Sequence, residues 1–576
     1  MNKRVSVLVL FLVLFVLAAA AAVSYVVLQW GRPAETVPPH AYLEIGLSGE
    51  LQEIVPPDFF RDVVLGVRPL ALHDIWMNLR KAKADDRIEV LLLRLDMLAC
   101  DWAKVAEIRD AVLDFRKSGK KVYAYIEEAP DFDKEYYLAT ACDRIVLHPM
   151  GWLGVNGIGG YVPFFKNTFE KLGIRAEFEH VEEYKTAYNQ FTESGFTPAH
   201  KEMVESIYGD IFDQYVEAVA VARKKTPDEV RALIDRGFYQ GMGAVEAGLV
   251  DDLKYEDELQ GMLRSGGRKL ARITSAEYSR VSPAAAGLAT GRRVALIYAV
   301  GPILSGESLP GSIGGATLAR WIRQAREDRT IAAIVLRVDS PGGSSVASDV
   351  IWREVFLAKK EKPFVVSMSD VAGSGGYWIS MAAHKIVAQP QTLTGSIGVL
   401  SGKFDLSGLY EKLGVTSERI VFGKEADVYS SFRPFSAEER KIVKEEIRRV
   451  YDAFLEKAAQ GRNISREDVD KVGRGRVWTG KQARDIKLVD ELGGLSKAIE
   501  LAKARAGLGR DEEPRLVVWP RKKGFWSSIF SRRTPGTSAG RLPGIDEAVR
   551  TLRLVERTRV WAICPMGVDV PVLKVP

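Results

Sequence analysis

Residues Ser367 to Gly398 read SMSDVAGSGGYWISMAAHKIVAQPQTLTGSIG, and a predicted strand, turn and helix follow one another at the start of this stretch. The apolar, β-branched run Phe364 to Val366 leads into it and is typical of a buried strand. Gly373-Ser374-Gly375-Gly376 comes next, followed by a helix-compatible run, Tyr377 to Ala383. A serine at such a turn can be a nucleophile, because glycine permits the turn and the helix N-terminus offers free N–H groups. Alone, the same turn is more often structural, so the prediction needs further support.

The composition is that of a globular protein and excludes several classes of function. The chain has 576 residues, 47% hydrophobic and 27% charged, which predicts several structural units rather than disorder. Its 81 basic and 75 acidic residues leave a net charge of +6, so we expect no nucleic-acid partner. Cys100, Cys142 and Cys564 are too dispersed for a disulfide framework or a metal site, and no HExxH pattern occurs. We therefore expect no metal and no organic cofactor.

The N-terminus has the pattern of a membrane anchor. Lys3 and Arg4 precede an uncharged apolar run from Val5 to Val27, which is long enough to span a bilayer. The alternative is a removable signal peptide, with a cleavage site among Ala18 to Ala22. The length of the run favours an uncleaved anchor, and the two basic residues predict that the remainder of the chain lies outside the cytoplasm.

After a proline-containing linker, short apolar strands alternate with amphipathic helices, which predicts an α/β fold with a mostly parallel sheet. The same order then recurs. The strand IEVLLLRL at 88–95 matches IAAIVLRV at 331–338, and FEKLGI at 169–174 matches YEKLGV at 410–415. The sequence therefore predicts a tandem duplication of one α/β unit. The predicted organisation is a cytoplasmic stub, an anchor, a linker, two α/β copies and a C-terminal extension, at residues 1–4, 5–27, 28–40, 41–285, 290–515 and 516–576.

The two copies differ where chemistry is expected. At an offset of 241 positions, which aligns FEKLGI with YEKLGV, Ser374 pairs with Asp133, so the first copy lacks the hydroxyl. Conversely, Lys185 of the first copy pairs with Ala426 of the second. Each copy thus holds half of a Ser–Lys pair, and a composite site follows if the interface between the copies brings the halves together.

A Ser–Lys pair is chemically sufficient for nucleophilic catalysis. Serine needs a base to remove its proton. Lysine is a base only when neutral, and burial lowers the pKa of an amine from its ordinary value of about 10.4. We therefore predict Ser374 as the nucleophile and Lys185 as the general base. The alternative for a single lysine is a solvated surface position.

Backbone N–H groups and a further serine complete the predicted site. Gly375 follows the nucleophile, and the turn Pro341-Gly342-Gly343 follows a predicted strand, so both offer N–H groups to an oxyanion. The first copy has Met97-Leu98-Ala99 near the matching place and lacks this turn. The hydroxyl of Ser396 is a candidate to hold the lysine amine, with a purely structural role as the alternative.

Together these motifs closely resemble the long form of signal peptide peptidase A, a membrane-anchored serine protease family of the Clp-protease/crotonase superfamily. The motifs are VDSPGGS at 338–344, SDVAGSGGYW at 369–378 and TLTGSIG at 392–398, with YKTA at 184–187 in the first copy. The resemblance covers nearly the whole chain after the anchor. It departs at Thr186, where the family often has serine, and it weakens from about residue 515.

The resemblance implies tandem Clp/crotonase-like units and a dyad of Ser374 and Lys185, with Ser396 orienting the lysine. It implies that Gly375 and the Gly342-Gly343 turn hold the oxyanion. The implied task is to cut signal peptides, and other apolar peptides, after their release from preproteins. The implied location is the bacterial inner membrane, single-pass, with the catalytic part on the periplasmic side, in a homotetramer whose active sites open inward.

Two other functions stay open at this point. A crotonase-type acyl-CoA enzyme uses a similar oxyanion geometry without a serine nucleophile, and a CoA-binding assay would separate it from a peptidase. A non-catalytic membrane scaffold would keep the fold without activity. The basic and aromatic stretch PRKKGFWSSIFSRR at 520–533 is either a membrane-surface segment or a flexible linker.

Overall fold

The structure is a computed structural model that describes residues 37–55, 69–288, 291–509 and 512–521, together with the backbone of 561–563. The predicted anchor at 5–27 and most of the basic stretch at 520–533 lie outside the described residues. None of the helices within the described ranges is long and apolar enough to cross a membrane.

The N-terminal half alternates strands and helices, as its sequence pattern predicts. Its strands are β1 (Ala41–Gln52), β2 (Leu70–Ala71), β3 (Ile88–Ala99), β4 (Lys121–Ile126), β5 (Arg144–Leu147), β6 (Trp152–Val155), β7 (Arg175–His180), β8 (Gly237–Gln240), β9 (Asp252–Leu253), β10 (Arg264–Ser265), β11 (Arg268–Lys269) and β12 (Ala271–Thr274). Its helices are α1 (Leu72–Ala84), α2 (Trp102–Arg116), α3 (Asp133–Ala139), α4 (Lys166–Leu172), α5 (Asn189–Thr192), α6 (Pro198–Arg223), α7 (Pro227–Arg236), α8 (Met242–Glu246), α9 (Glu256–Met262) and α10 (Ser275–Tyr278).

The C-terminal half repeats this alternation. Its strands are β13 (Arg293–Val300), β14 (Ile303–Leu304), β15 (Ile313–Gly314), β16 (Ile331–Ser340), β17 (Gly342–Ser344), β18 (Phe364–Gly373), β19 (Lys385–Ala388), β20 (Leu393–Gly395), β21 (Leu400–Asp405), β22 (Val477–Thr479), β23 (Glu491–Leu492), β24 (Arg515–Trp519) and β25 (Trp561–Ile563). Its helices are α11 (Gly315–Glu327), α12 (Ser345–Glu361), α13 (Gly375–Trp378), α14 (Ser407–Lys412), α15 (Ala437–Arg462), α16 (Arg466–Val472), α17 (Gly480–Asp485) and α18 (Leu495–Arg505).

The two halves build the same sheet. The first sheet runs β12-β1-β3-β4-β5-β9, and the second runs β24-β13-β16-β18-β19-β23 in the corresponding order. Neighbouring strands along both paths are parallel. Helices cover such sheets, which is why β16 and β18 are buried over almost their whole length. The predicted α/β fold, with duplicated units and mostly parallel sheets, is confirmed.

The copies are joined by a shared sheet and a shared core. Strands β7 and β21, one from each copy, pair antiparallel within a third sheet of order β15-β14-β17-β25-β21-β7. Apolar side chains of both copies, such as Leu93 of β3 and Val335 of β16, belong to one continuous core. Buried Arg337 of β16 also reaches Glu53 and Glu107 of the first copy, at 3.0 and 3.1 Å. Both halves of the predicted composite site are therefore held by one packed interface.

Two local predictions were wrong. The helix expected over Tyr377 to Ala383 is only the four-residue α13, because the chain turns after Trp378 to reach β19 beside β18. The turn expected at Pro341-Gly342-Gly343 is in part the short strand β17, which pairs with β14 and β25.

Candidate active site

Ser374 stands at the junction of β18 and α13, in a conformation that L residues rarely adopt. Its φ is 53° and its ψ is −111°, and its side chain is fully buried. Its backbone N donates to the carbonyl of Gly395 at 2.8 Å. Gly376 can only be glycine here, since a Cβ would lie 2.5 Å from the carbonyl oxygen of Ser340. Strain of this kind persists where the surrounding structure holds it, and it is common at functional sites.

The structure brings Lys185 of the first copy to Ser374 of the second. Lys185 Nζ lies 2.8 Å from Ser374 Oγ, although 189 positions separate the two residues in the chain. The same amine contacts Ser396, at 3.0 Å from Oγ and 3.1 Å from the carbonyl oxygen. All three residues have no exposed surface. The predicted nucleophile and the predicted orienting serine therefore both lie within hydrogen-bond distance of the predicted base.

The backbone around Lys185 is held by residues that the sequence reasoning missed. A Cβ on Gly475 would lie 2.4 Å from the backbone N of Lys185, and one on Gly398 would lie 3.2 Å from its Cδ. Arg474 forms an ion pair with Glu183 at 2.8 Å, two residues before the lysine. The charges of Arg474 and Glu183 are the only sequence signal for this contact, and neither has a local pattern that would have paired them.

Ser396 also has an unusual backbone conformation, with a φ of 50°. Its N donates to the carbonyl of Arg476 at 2.7 Å, which ties it to the segment that holds Lys185. Its buried hydroxyl is thus held 3.0 Å from the Lys185 amine, within reach for an orienting role.

The predicted oxyanion glycines converge beside the nucleophile. A Cβ on Gly375 would lie 3.0 Å from Gly342 Cα and 3.1 Å from Gly343 N, so the backbones of the two segments are in contact. Gly342 N already donates to the hydroxyl of Ser340, at 3.2 Å. Gly343 and Gly375 are therefore the stronger candidates to donate to an oxyanion.

In the first copy, the residue at the position of Ser374 is an acid that makes hydrogen bonds to the backbone. Asp133, the counterpart of Ser374, accepts hydrogen bonds from the N–H groups of Asn156 and Gly157, at 3.2 and 3.1 Å. Burial raises the pKa of this carboxyl to about 6. Gly157 matches Gly398, whose carbonyl accepts from the Ser374 hydroxyl at 3.4 Å. The residues at these two positions are therefore hydrogen-bonded to each other in both copies. The pair is Asp133 and Gly157 in the first copy, and Ser374 and Gly398 in the second.

Metal ligands do not cluster in the described ranges: no group of three or more His, Cys, Asp or Glu side chains there is arranged to hold an ion. The groups that the structure brings together at this site are a hydroxyl, an amine and backbone N–H groups.

Comparison with known proteins gives matches in both copies. The profile described as Peptidase family S49 matches residues 114–269 and 357–509. Serine protease SPPA, chloroplastic, of Arabidopsis thaliana is 38% identical over 473 residues, which cover 80% of this chain and 70% of that protein. Protease 4 of Salmonella typhi is 35% identical over 455 residues, covering 76% of this chain and 72% of that one. Protease 4 of Haemophilus influenzae is 30% identical over 451 residues, covering 76% and 73%.

Solved structures are similar at a lower level. ClpP1 from Listeria monocytogenes is 15% identical with a TM-score of 0.23, covering 35% of this chain and 91% of that one. The 1510-N membrane-bound stomatin-specific protease, as a mutant in complex with a substrate peptide, is 12% identical with a TM-score of 0.27, covering 42% and 97%.

Proposed function

The chain belongs to peptidase family S49, as a serine peptidase, and we propose that its catalytic pair is Ser374 and Lys185. The observation that carries this proposal is the 2.8 Å distance between Lys185 Nζ and Ser374 Oγ across the two copies. The family matches are to peptidases, so they favour a peptidase over the crotonase-type alternative.

The proposed reaction begins with acylation of the serine. Lys185 accepts the hydroxyl proton as Ser374 Oγ forms a bond to the carbonyl carbon of the scissile peptide. For this the amine must be neutral, and burial away from water disfavours the charged form of an amine. The N–H groups of Gly343 and Gly375 donate to the oxyanion. Lys185 then gives its proton to the leaving amine, the C–N bond breaks, and an ester on Ser374 remains.

Hydrolysis of that ester repeats the same roles. Lys185 takes a proton from a water molecule as the water oxygen attacks the ester carbonyl, and it returns the proton to Ser374 Oγ when the C–O bond breaks. Ser396, 3.0 Å from the amine, keeps Nζ directed at Oγ in both halves of the reaction.

We expect an extended peptide to bind beside these residues. The backbone of β25 pairs antiparallel with β17 on one side and with Leu400 of β21 on the other. A peptide in this position runs along the strand that carries Gly343, and main-chain hydrogen bonds of this kind bind peptides with little regard to side chains. We expect the substrate to bind as an antiparallel strand in the place that β25 occupies.

We further propose that the substrates are signal peptides and similar apolar peptides, released from preproteins. The apolar run at 5–27 supports this, because an anchor there would hold the enzyme beside the bilayer in which such peptides reside. With Lys3 and Arg4 in the cytoplasm, the catalytic part would lie on the periplasmic side of a bacterial inner membrane.

A homotetramer completes the proposal. Leu413, Ile420 and Phe422 are 67%, 82% and 92% exposed within ten positions of each other, and apolar surface of this kind suits contact with another copy. Light scattering in mild detergent, which gives the mass of the assembly, tests the number of copies.

The experiment that tests the catalytic pair is hydrolysis of a fluorogenic leucine-rich peptide in mild detergent. Lys185→Ala and Ser374→Ala are each expected to lower kcat by a factor on the order of 10³ or more, because acylation needs both groups. Lys81→Ala is the matched control, since Lys81 is also buried but donates to carbonyls of the first copy, those of Tyr278 and Val281. Lys185→Ala protein that is folded and cuts as fast as wild type would show that the base lies elsewhere.

A further inference from the structure

Lys104 lies in α2 of the first copy, yet its ammonium group binds carboxylates of the second. Its Nζ is 2.8 Å from Asp339 Oδ2 and 3.3 Å from Asp370 Oδ2. Lys104 is 9% exposed and Asp370 is 5% exposed, so water and salt screen this cluster weakly. Breaking a buried pair by removing one partner leaves an uncompensated charge, which the surrounding backbone must accommodate.

The two carboxylates belong to the two segments that form the proposed active site. Asp339 is the residue before Ser340 at the end of β16, directly ahead of the oxyanion glycines. Asp370 lies in β18, four positions before Ser374. Asp339 Oδ1 also accepts from the backbone N of Val371, at 3.1 Å. The carboxylate of Asp339 therefore links the two strands directly, and Lys104 of the first copy forms ion pairs with both carboxylates.

The cluster also fixes the position of α2. The Asp370 carboxylate accepts from the backbone N of Asp101 at 3.2 Å and of Lys104 at 2.8 Å, so it caps this helix from the other copy. The counterpart helix α12 is capped by its own Ser344, which accepts from Ala347 N at 3.3 Å. When IEVLLLRL is aligned with IAAIVLRV, Ala347 stands where the first copy has Lys104. The lysine is therefore a feature that only the first copy supplies, and the cap of its helix comes from the second copy.

The protonation state of Asp370 is sensitive to this contact. Burial raises the pKa of its carboxyl to about 7, and the positive charge of Lys104 acts in the opposite direction. The ammonium group thus favours the ionised carboxylate that makes both the ion pair and the helix cap.

We propose that Lys104 is a positioning residue for the peptidase reaction, holding the oxyanion-binding segment after β16 and the nucleophile turn after β18 at a fixed separation. This inference rests on the proposed function. The N–H groups of Gly343 and Gly375 must meet the oxyanion together, so a small shift between their segments weakens binding of the transition state. Binding of the peptide backbone along β17 does not require that alignment, so kcat changes rather than KM.

The test compares Lys104→Met, Lys104→Arg and the control Lys81→Met on the full chain, with the fluorogenic peptide. Lys104→Met is expected to lower kcat by about tenfold or more with KM within about twofold of wild type. Lys104→Arg should keep most of the wild-type kcat, because it keeps the positive charge. Lys81→Met removes a lysine that is 1% exposed and distant in the chain from both active-site segments, so it lowers the unfolding temperature and leaves kcat within about twofold.

A second readout separates positioning from general loss of stability. A peptide aldehyde forms a tetrahedral adduct with a serine and places an oxygen in the oxyanion site, whereas the product peptide that carries the new amino terminus does not. For Lys104→Met the inhibition constant of the aldehyde rises by about the same factor as kcat falls, and that of the product peptide stays within about twofold. Equal changes for both inhibitors would overturn the inference.

Two results for the variants would also overturn it: folded Lys104→Met with kcat within about twofold of wild type, or Lys81→Met with the same loss of kcat as Lys104→Met. If Lys104→Met does not fold, Asp339→Asn replaces it, because an amide keeps an acceptor for Val371 N and removes only the charge. It should show the same fall in kcat, and unchanged kcat would overturn the inference. Full activity of Lys185→Ala would instead refute the proposed catalytic pair, whatever Lys104 does.

Discussion

His200 shows at the scale of a single residue how burial makes stability depend on pH. Its ring lies against Phe164 and Phe196, with ring centroids 6.2 and 4.8 Å away. Its Nδ1 is buried and has no hydrogen-bond partner among the described residues. Burial lowers the pKa of the imidazole to about 4, from an ordinary value of 6.5. The folded chain therefore keeps this ring neutral where the unfolded chain would protonate it.

The pH dependence follows from that difference. Between pH 6.5 and pH 4 the unfolded state binds more protons at this residue than the folded state, so stability falls as the pH falls. One group with this shift removes about 2 kcal/mol between pH 7 and pH 5. His200→Leu cannot take up the proton in either state, so its urea midpoint should fall less over this range than that of wild type. A midpoint that falls equally in both proteins contradicts the assignment, and His148→Leu controls for the loss of any histidine.

The charged and reacting side chains differ in how far the sequence could predict them. Ser374 and Lys185 were found because the duplication aligns the copies and shows that each lacks what the other holds. Lys104 and Arg474 could not be found this way, since their partners lie in the other copy and no periodicity relates them. A pair between distant elements becomes visible only when the packing of those elements is known.

At the scale of elements, the strands were easier to predict than the segments between them. Strands β3 and β16 begin at the predicted residues, Ile88 and Ile331, because a buried apolar run that follows turn residues has few alternatives. The helix after Ser374 ends early because the path to β19, rather than helix propensity, decides its length. The glycines at 342–343 form a strand because β14 and β25 supply hydrogen-bonding partners that the local sequence does not reveal.

The packing of two irregular segments gives a prediction at this scale. Gly475 has a φ of 86°, and a Cβ there would lie within 2.6 Å of three atoms of Lys185. Gly475→Ala should therefore displace the lysine from Ser374 and lower kcat about 100-fold, with the fold retained. Peptide hydrolysis measures kcat, and circular dichroism checks the fold.

Gly414→Ala is the matched control for this change. Gly414 also has a left-handed φ, of 70°, but a Cβ there meets nothing within 4 Å. The two variants share the backbone strain of about 1 kcal/mol and differ in the clash with Lys185. Comparable losses of kcat in both would mean that backbone strain, rather than displacement of the lysine, is responsible.

The whole molecule is a duplicated fold in which both copies contribute to the proposed active site. The first copy contributes Lys185 and has Asp133 in place of the proposed nucleophile, and the second contributes Ser374 and both proposed oxyanion segments. The shared core and the β7–β21 pairing hold these parts in one body. A site built across such an interface depends on how the two copies are positioned relative to each other, and neither copy fixes that position alone.

The C-terminal extension adds a further level to this arrangement, because its strand β25 lies in the position that we propose for the peptide substrate. Strand β25 pairs with β17 at Gly342 to Ser344 and with Leu400 of β21, where we expect substrate to bind. A chain that ends at Arg521 lacks this competing strand, so its KM for the fluorogenic peptide should fall about threefold or more, with kcat unchanged. A chain that ends at Ile563 keeps β25 and should keep the KM of the full chain. Steady-state kinetics of the full chain and the two shortened chains gives KM and kcat for each. An unchanged or higher KM for the shorter chain would mean that the extension does not compete with substrate, since removal of a competitor can only free the position along β17.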